Sequence, residues 1–320
     1  MKHYLAFDGG GTKTRAGLYD AEGRLLREAR GGASNPMALG LDRCVSVLTE
    51  VGREALADTP ATVDGIGAAL SGAWTSGMAS WLAERLCEQF QAPRAVVSDD
   101  VRPILFANIG DAPGILAVAG TGSSVVAQAS GGRSGFVGGR GAMFGDDGSA
   151  FQIGQGALRA AARALDGLAP DTVLTALLPE AAGVKSFHML VPWARDASMR
   201  DIAGLAPAVA QAADHDAVAA ECIVTQAGHM AEQVRAGFRK YDLPLDAPVL
   251  LNGGVFEHCP RYLEAFRRRL CGLGVQTVAE LAPVRGHRAA LAMVCADNLP
   301  KTLLASEARL DAHRPFEAKD

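Results

Sequence analysis

The chain of 320 residues is 49% hydrophobic and 21% charged, a balance that excludes disorder and supplies apolar material for two cores. Its net charge of −4 comes from 31 basic and 35 acidic residues dispersed along the sequence, which leaves no basic face for duplex nucleic acid or an anionic membrane, and 6% aromatic content excludes a stacking platform for single strands. Six scattered cysteines, Cys44, Cys87, Cys222, Cys259, Cys271 and Cys295, lack zinc, thioredoxin and iron–sulfur spacings; with no apolar run of roughly 18 residues and no room for a signal peptide, a reduced cytoplasmic protein is expected.

The first segment, "HYLAFDGGGTKTRAGLYDAEGRLL", reads as strand, glycine turn, strand, turn, strand. In the turn, the backbone N–H groups around Gly10 and Gly11 are free to converge on an anion, and glycine lets phosphate oxygens approach closely. Thr12 and Lys13 add a hydroxyl and an ammonium. Asp8, at the head of the turn, would repel a phosphate unless a cation lay between them. It therefore predicts Mg²⁺, held through water. The spacing is not that of a Walker A loop, and Thr14 stands where a GxGxxG fingerprint needs glycine.

"VDGIGAALSGA" (63–73) follows as a buried strand ending in a small-residue turn before a helix, and "AVVSDD" (95–100) as another. The "SDD" that ends it can cap the next helix; Ser98 or Asp99 suffices for that and leaves Asp100 free. A boundary is expected between Asp111 and Gly114.

"GILAVAGTGSSVVAQASGGRSGF" then repeats the opening grammar, with Gly120-Thr121-Gly122-Ser123 as an uncharged second loop offering amides and hydroxyls. Val125 rules out GxGxxG here too. Helical regions are expected at 149–165 and 201–240, the latter broken near 214–216. "APVLLNGGVFE" (247–257) echoes the 63–73 strand, and "VQTVAE" (275–280) echoes 95–100. From Lys301 the chain is charged and reads as a terminal helix or a frayed tail. The repetition implies two α/β domains, 1–112 and 113–320, each a mixed sheet covered by helices, related by a pseudo-twofold around a central cleft. Two such loops would grip a polyphosphate from both domains.

"DGGGTKT", "AGTGSS" and "LNGGV" resemble the phosphate-1, phosphate-2 and adenosine motifs of the sugar kinase/actin/heat-shock chaperone ATPase superfamily, whose domains are ribonuclease H-like. Within it, "GGASNP", "SDD" and "GGRGAMFGDDGSAF" are similar to the N-acetylglucosamine kinase branch of the BadF/BadG/BcrA/BcrD ATPase family. The resemblance runs from Tyr4 to about Asp297. It implies ATP and Mg²⁺ as cofactors, with ATP at Gly10, Gly11, Thr12, Lys13, Gly120, Thr121, Gly122 and Ser123, and adenosine near Ala210, Gly253 and Gly254. The family's catalytic aspartate falls on Asp100, the carboxylate needed to accept a hydroxyl proton during in-line phosphoryl transfer. Its sugar-binding positions fall on Asn35, Gly139, Arg140, Gly141 and Asp146. Arg140 replaces the family's common Trp, which puts the exact amino sugar in question.

The implied activity is phosphorylation of the 6-hydroxyl of an amino hexose, N-acetylglucosamine first and glucosamine or another hexose as the alternative; a homodimer is implied as well. A second alternative within the wider family is an ATPase that activates a 2-hydroxyacyl-CoA dehydratase or benzoyl-CoA reductase, using a cysteine-ligated cluster; the scattered cysteines argue against it. A regulatory sugar sensor without catalysis is disfavoured by the retention of Asp8, Asp100 and both loops.

Overall fold

The computed structural model describes residues 2–57, 62–73, 75–299, 303 and 306–309. The chain divides into two compact units, one of residues 1–112, 130–133 and 282–320, the other of 113–129 and 134–281.

The first unit opens with a meander: β1 (His3–Gly9), β2 (Thr14–Asp20) and β3 (Leu25–Gly31). Then come α1 (Pro36–Leu39), α2 (Leu41–Leu56), β4 (Gly65–Leu70), α3 (Ser76–Phe90), β5 (Arg94–Ser98) and α4 (Arg102–Ile109). β4 lies parallel between β1 and β5, and every residue of its "GIGAAL" is buried, as a strand covered on both faces requires. Successive residues of β1 serve opposite faces: Leu5 and Phe7 join Leu48, Leu82 and Leu86 under α2 and α3, while Ala6 joins the layer on the other side.

The second unit repeats the plan. β6 (Gly114–Ala119), β7 (Ser123–Gln128) and β8 (Ser134–Gly138) form its meander. Six helices follow: α5 (Ala150–Leu165), α6 (Leu174–Ala181), α7 (Phe187–Asp196), α8 (Met199–Ala203), α9 (Ala206–Ala212) and α10 (Ala217–Tyr241). β9 (Val249–Asn252), α11 (Gly254–His258), α12 (Pro260–Gly272) and β10 (Glu280–Leu281) complete the unit. The strand order β5-β4-β1-β2-β3 of the first sheet recurs as β10-β9-β6-β7-β8 in the second, so the duplicated α/β plan is present. The long helical insertion breaks at residues 213–216, where Asp216 caps α10 by accepting from Ala219 N.

Three expectations need correction. The strand expected at 275–280 is confined to Glu280–Leu281, because only these residues pair with β9. The second domain does not run to residue 320. Helix α13 (His287–Cys295) packs on β1 and β4 of the first unit, in a layer with Ala6, Tyr19 and Ala69. Its backbone comes so close that a Cβ at Gly67 would overlap the carbonyl oxygen of Ala290, so the glycines of "GIG" are the seat for this helix. Finally, β11 (Ser306–Arg309) pairs antiparallel with β5 where a terminal helix or tail was expected; residues 310–320 lie outside the described residues. Among the described residues, no helix is long and apolar enough to cross a membrane.

Candidate functional site

The candidate residues gather in two clusters, one in each unit. In the first, the β1–β2 turn closes with Gly10 N donating to Lys13 O at 3.1 Å, while the backbone at Gly9 and Gly10 is tied to Ser71 and Ser34 by bonds of 2.8 and 2.9 Å. Gly11, Thr12 and Lys13 stand exposed at the turn's tip. The Asp8 carboxylate accepts no hydrogen bond among the described residues. Burial pushes its carboxyl above the usual range, and the nearby His287, Arg15 and Lys13 charges oppose that shift. A part-buried carboxylate with uncommitted oxygens beside an exposed glycine turn fits a hydrated cation. The described residues contain no group of three His, Cys, Asp or Glu that could hold a metal unaided, so such a cation would depend on phosphate and water for its other ligands.

Asp99 and Asp100 follow β5. Asp99 caps α4: its Oδ1 accepts from Val101 N and Arg102 N, both at 2.9 Å, and its Oδ2 accepts from the Arg102 guanidinium at 2.5 Å. Ser98 is committed elsewhere, donating to Leu303 O at 3.1 Å. Asp100 is therefore free of the capping task. Burial, then the Asp99 charge, and more weakly Asp8, push its carboxyl up to about 7, against hydrogen bonds from its own backbone amide and the Ser71 hydroxyl. Desolvation and like charge both disfavour the ionised form, and so tune this carboxyl to the neutral range.

Asn35 caps α1, its Oδ1 accepting from Met37 N at 2.9 Å and Ala38 N at 3.3 Å. This cap occupies only the oxygen and leaves the amide nitrogen to donate. Gly72 packs directly on this side chain.

In the second cluster, the Gly120–Ser123 turn joins β6 to β7. Its carbonyls at Gly120 and Thr121 accept from Ala150 N and Phe151 N, the first amides of α5. Asp146 is buried in a left-handed conformation, φ +59. Burial raises its carboxyl, while the amides of Gly141 and Ser123 donate to it and hold it down. A Cβ placed on Gly122 would lie 2.8 Å from its Oδ2. Asp146 is thus part of the second loop's own fabric. Gly139 packs on Ser124, whereas Arg140 points out exposed, with Gly145 behind it.

A cavity of about 760 Å³ opens beside this loop, lined by Gly120, Thr121, Ala150, Ala210, Gly254 and Val255 among others, and flanked by the ion pair between Arg261 and Asp214 at 3.1 Å. Ala210 and Gly254, named from separate motifs, thus meet Gly120 and Thr121 in one apolar-walled space of nucleotide size. Gly253 has φ +108, and a Cβ there would overlap the Ala119 carbonyl oxygen, so the β9–α11 turn is pressed against the second loop.

Ser71, Asp214 and Arg261 were not among the residues expected from sequence. Ser71 carried a weak signal, being the polar residue that ends a buried strand in "LSGA". His287 is buried, bonded to Tyr19 Oη at 2.5 Å and Glu28 at 3.1 Å, and lies close enough to Asp8 to oppose the rise of its carboxyl.

Residues 7–280 match the BadF/BadG/BcrA/BcrD ATPase family. The chain belongs to that family. Membership makes ATP its nucleotide. An N-acetyl-D-glucosamine kinase of Dictyostelium discoideum is 28% identical over 274 residues, 79% of this chain and 85% of the relative. The glucosamine kinase GspK of Vibrio cholerae is 28% identical over 214 residues, 65% of this chain and 71% of the relative. The solved structure of a Chromobacterium violaceum protein, provisionally named N-acetylglucosamine kinase, superposes with a TM-score of 0.73 at 28% identity, covering 92% of this chain and 99% of the other. The two-unit plan of this ATPase is therefore shared with solved sugar kinases of the actin-like ATPase fold.

Proposed function

We propose that this ATPase is a kinase that transfers the γ-phosphoryl group of ATP to the 6-hydroxyl of an amino hexose, with N-acetyl-D-glucosamine as its substrate. The observation that carries the reading is the carboxyl of Asp100, pushed up to about 7 and free of the helix cap that Asp99 supplies. A base of that strength beside Asp8 suits proton removal from a sugar hydroxyl at neutral pH. The relatives named for N-acetylglucosamine and glucosamine support the substrate class.

In this reading the adenosine lies in the cavity at Ala210 and Gly254, with Gly253 in the adjoining turn, and the phosphate-binding amides and hydroxyls are those of Gly120–Ser123 in the second unit and of Gly10–Thr12 in the first. Lys13 adds a cation at the first loop. Asp8 would hold Mg²⁺ through water, and the ion when bound would supply positive charge to offset that of the phosphates. Asn35 donates its amide to the sugar, Asp146 accepts sugar hydroxyls, and Gly139–Gly141 line the 2-substituent. Asp100 takes the 6-hydroxyl proton as that oxygen forms its bond to the γ-phosphorus and the bond to ADP breaks. We place it in the cytoplasm, where cysteines without disulfide or metal spacing stay reduced, and as a homodimer, which its resemblance implies.

The test is ADP release, coupled to a chromogenic reaction, across a panel of hexoses and amino sugars. Release that requires N-acetylglucosamine supports the reading; release at the same rate without any sugar overturns it and favours an ATP-driven activator.

A further inference from the structure

Asp146 holds a left-handed backbone conformation that is unfavourable for a non-glycine residue, so its surroundings must enforce it. They do so through the two residues that follow. The Asp147 carbonyl accepts from Ser123 Oγ at 2.8 Å and from Gln233 Nε2 at 2.7 Å. Gly148 N donates to Gln226 Oε1 at 2.8 Å, and the Gly148 carbonyl accepts from the Tyr262 hydroxyl at 2.7 Å. Gln226 and Gln233 lie seven residues apart, two turns along one face of α10. Tyr262 is on α12, wholly buried, with the ring of Phe256 edge-on to it at 5.4 Å.

Packing alone does not account for these side chains. A phenylalanine would fill the space of Tyr262 beside Phe256 without bringing a hydroxyl into an apolar interior, where it is costly unless bonded. All three polar groups converge on the single turn that carries Asp146, from 78 to 114 residues further along the chain. We propose that Gln226, Gln233 and Tyr262 are positioning residues that fix the Asp146 carboxyl as acceptor for sugar hydroxyls. This rests on the reading of Asp146 given above. Tyr262 also follows directly on Pro260 and Arg261, which line the nucleotide cavity, so one helix start braces both subsites.

The experiment compares Tyr262→Phe, Gln226→Met, Gln226→Glu and Asp146→Ala in the full chain, with N-acetylglucosamine as the probe sugar. Sugar KM, ATP KM and kcat are measured, together with calorimetric sugar affinity. Tyr262→Phe and Gln226→Met are each expected to raise sugar KM and Kd about 5- to 20-fold, the scale of one lost buried hydrogen bond, with ATP KM near that of the wild type. Gln226→Glu keeps an acceptor for Gly148 N and is expected to restore the sugar KM. A merely structural role would lower thermal stability while leaving sugar KM unchanged, or weaken both substrates alike, and either result overturns the proposal. Asp146→Ala separates the two levels: if it leaves sugar KM unchanged, the reading of Asp146 fails and the proposal with it. If it raises sugar KM while Tyr262→Phe and Gln226→Met do not, only the positioning proposal fails.

Discussion

Asp99 and Asp100 are chain neighbours with divided tasks: Asp99 gives both carboxylate oxygens to the first turn of α4, and its negative charge helps keep Asp100 protonated up to about pH 7. One residue is architectural, the other is held at the threshold of ionisation. A single substitution at either position should therefore produce a distinct signature.

Asp100→Asn should lower turnover by roughly 10² to 10⁴ while ATP still binds, the usual scale for a positioned base. It should also stabilise the fold at alkaline pH. The folded carboxyl titrates near 7 against an ordinary 3.8, so its contribution to stability is complete below about pH 4 and is lost as pH rises through 7. Thermal denaturation at pH 8 should show the variant melting above the wild type, with the difference shrinking toward pH 4. Equal melting temperatures at both values would contradict the titration.

The pH profile follows from the same sign. The base works only when ionised, so kcat/KM should fall as pH drops through about 7. Asp99→Asn removes the second-largest cause that raises Asp100, so this acid limb should move to lower pH. The same variant keeps a side-chain oxygen for the first amides of α4, since asparagine caps as well as aspartate, and loses the ion pair with Arg102, so stability should fall by no more than about 1 kcal/mol in denaturation. A limb that stays in place would show that another group controls it.

Gly253→Ala should be severe. Its φ of +108 and the Ala119 carbonyl leave a methyl group no space, and the obstructing atom is backbone that cannot turn away. ATP KM should rise at least tenfold, with a loss of thermal stability. Gly254→Ala is the control: its Cβ would meet only His258 at an ordinary 3.7 Å, and its stability should be near that of the wild type.

Much of this was legible in sequence because it is local. The two glycine hairpins, the "SDD" corner and the break before α10 each declare themselves within a few residues. The division of work between Asp99 and Asp100 could be stated as a choice, since only one carboxylate fits a cap. What was hidden depends on distant partners. The seating of Ala290 on Gly67, and the bond from Tyr262 to Gly148, join positions more than a hundred residues apart. Helices α6 and α7 were missed because Pro179 and Pro192 stand inside them, where proline reads as a breaker. The "VQTVAE" segment has the apolar content of a strand, yet only its last residue pairs with β9.

Arg140 is the place where substrate preference should be adjustable. It stands exposed between two glycines of positive φ, in a stretch that otherwise resembles the sugar-contacting segment of N-acetylglucosamine kinases. Arg140→Trp should raise the ratio of kcat/KM for N-acetylglucosamine over glucosamine, since an indole packs on an acetyl group where guanidinium meets an ammonium with like charge. Steady-state kinetics with N-acetylglucosamine, glucosamine and glucose measure it; unchanged ratios would remove Arg140 from the sugar site.

The most direct measurement follows the phosphoryl group itself. ATP labelled in its γ-phosphate is incubated with the protein, Mg²⁺ and N-acetylglucosamine, and the products are resolved by phosphorus NMR. Label on the sugar's 6-oxygen, with the rate collapsing in Asp100→Asn, is the expected result. Label appearing only as inorganic phosphate, or at equal rates in Asp100→Asn, would contradict it.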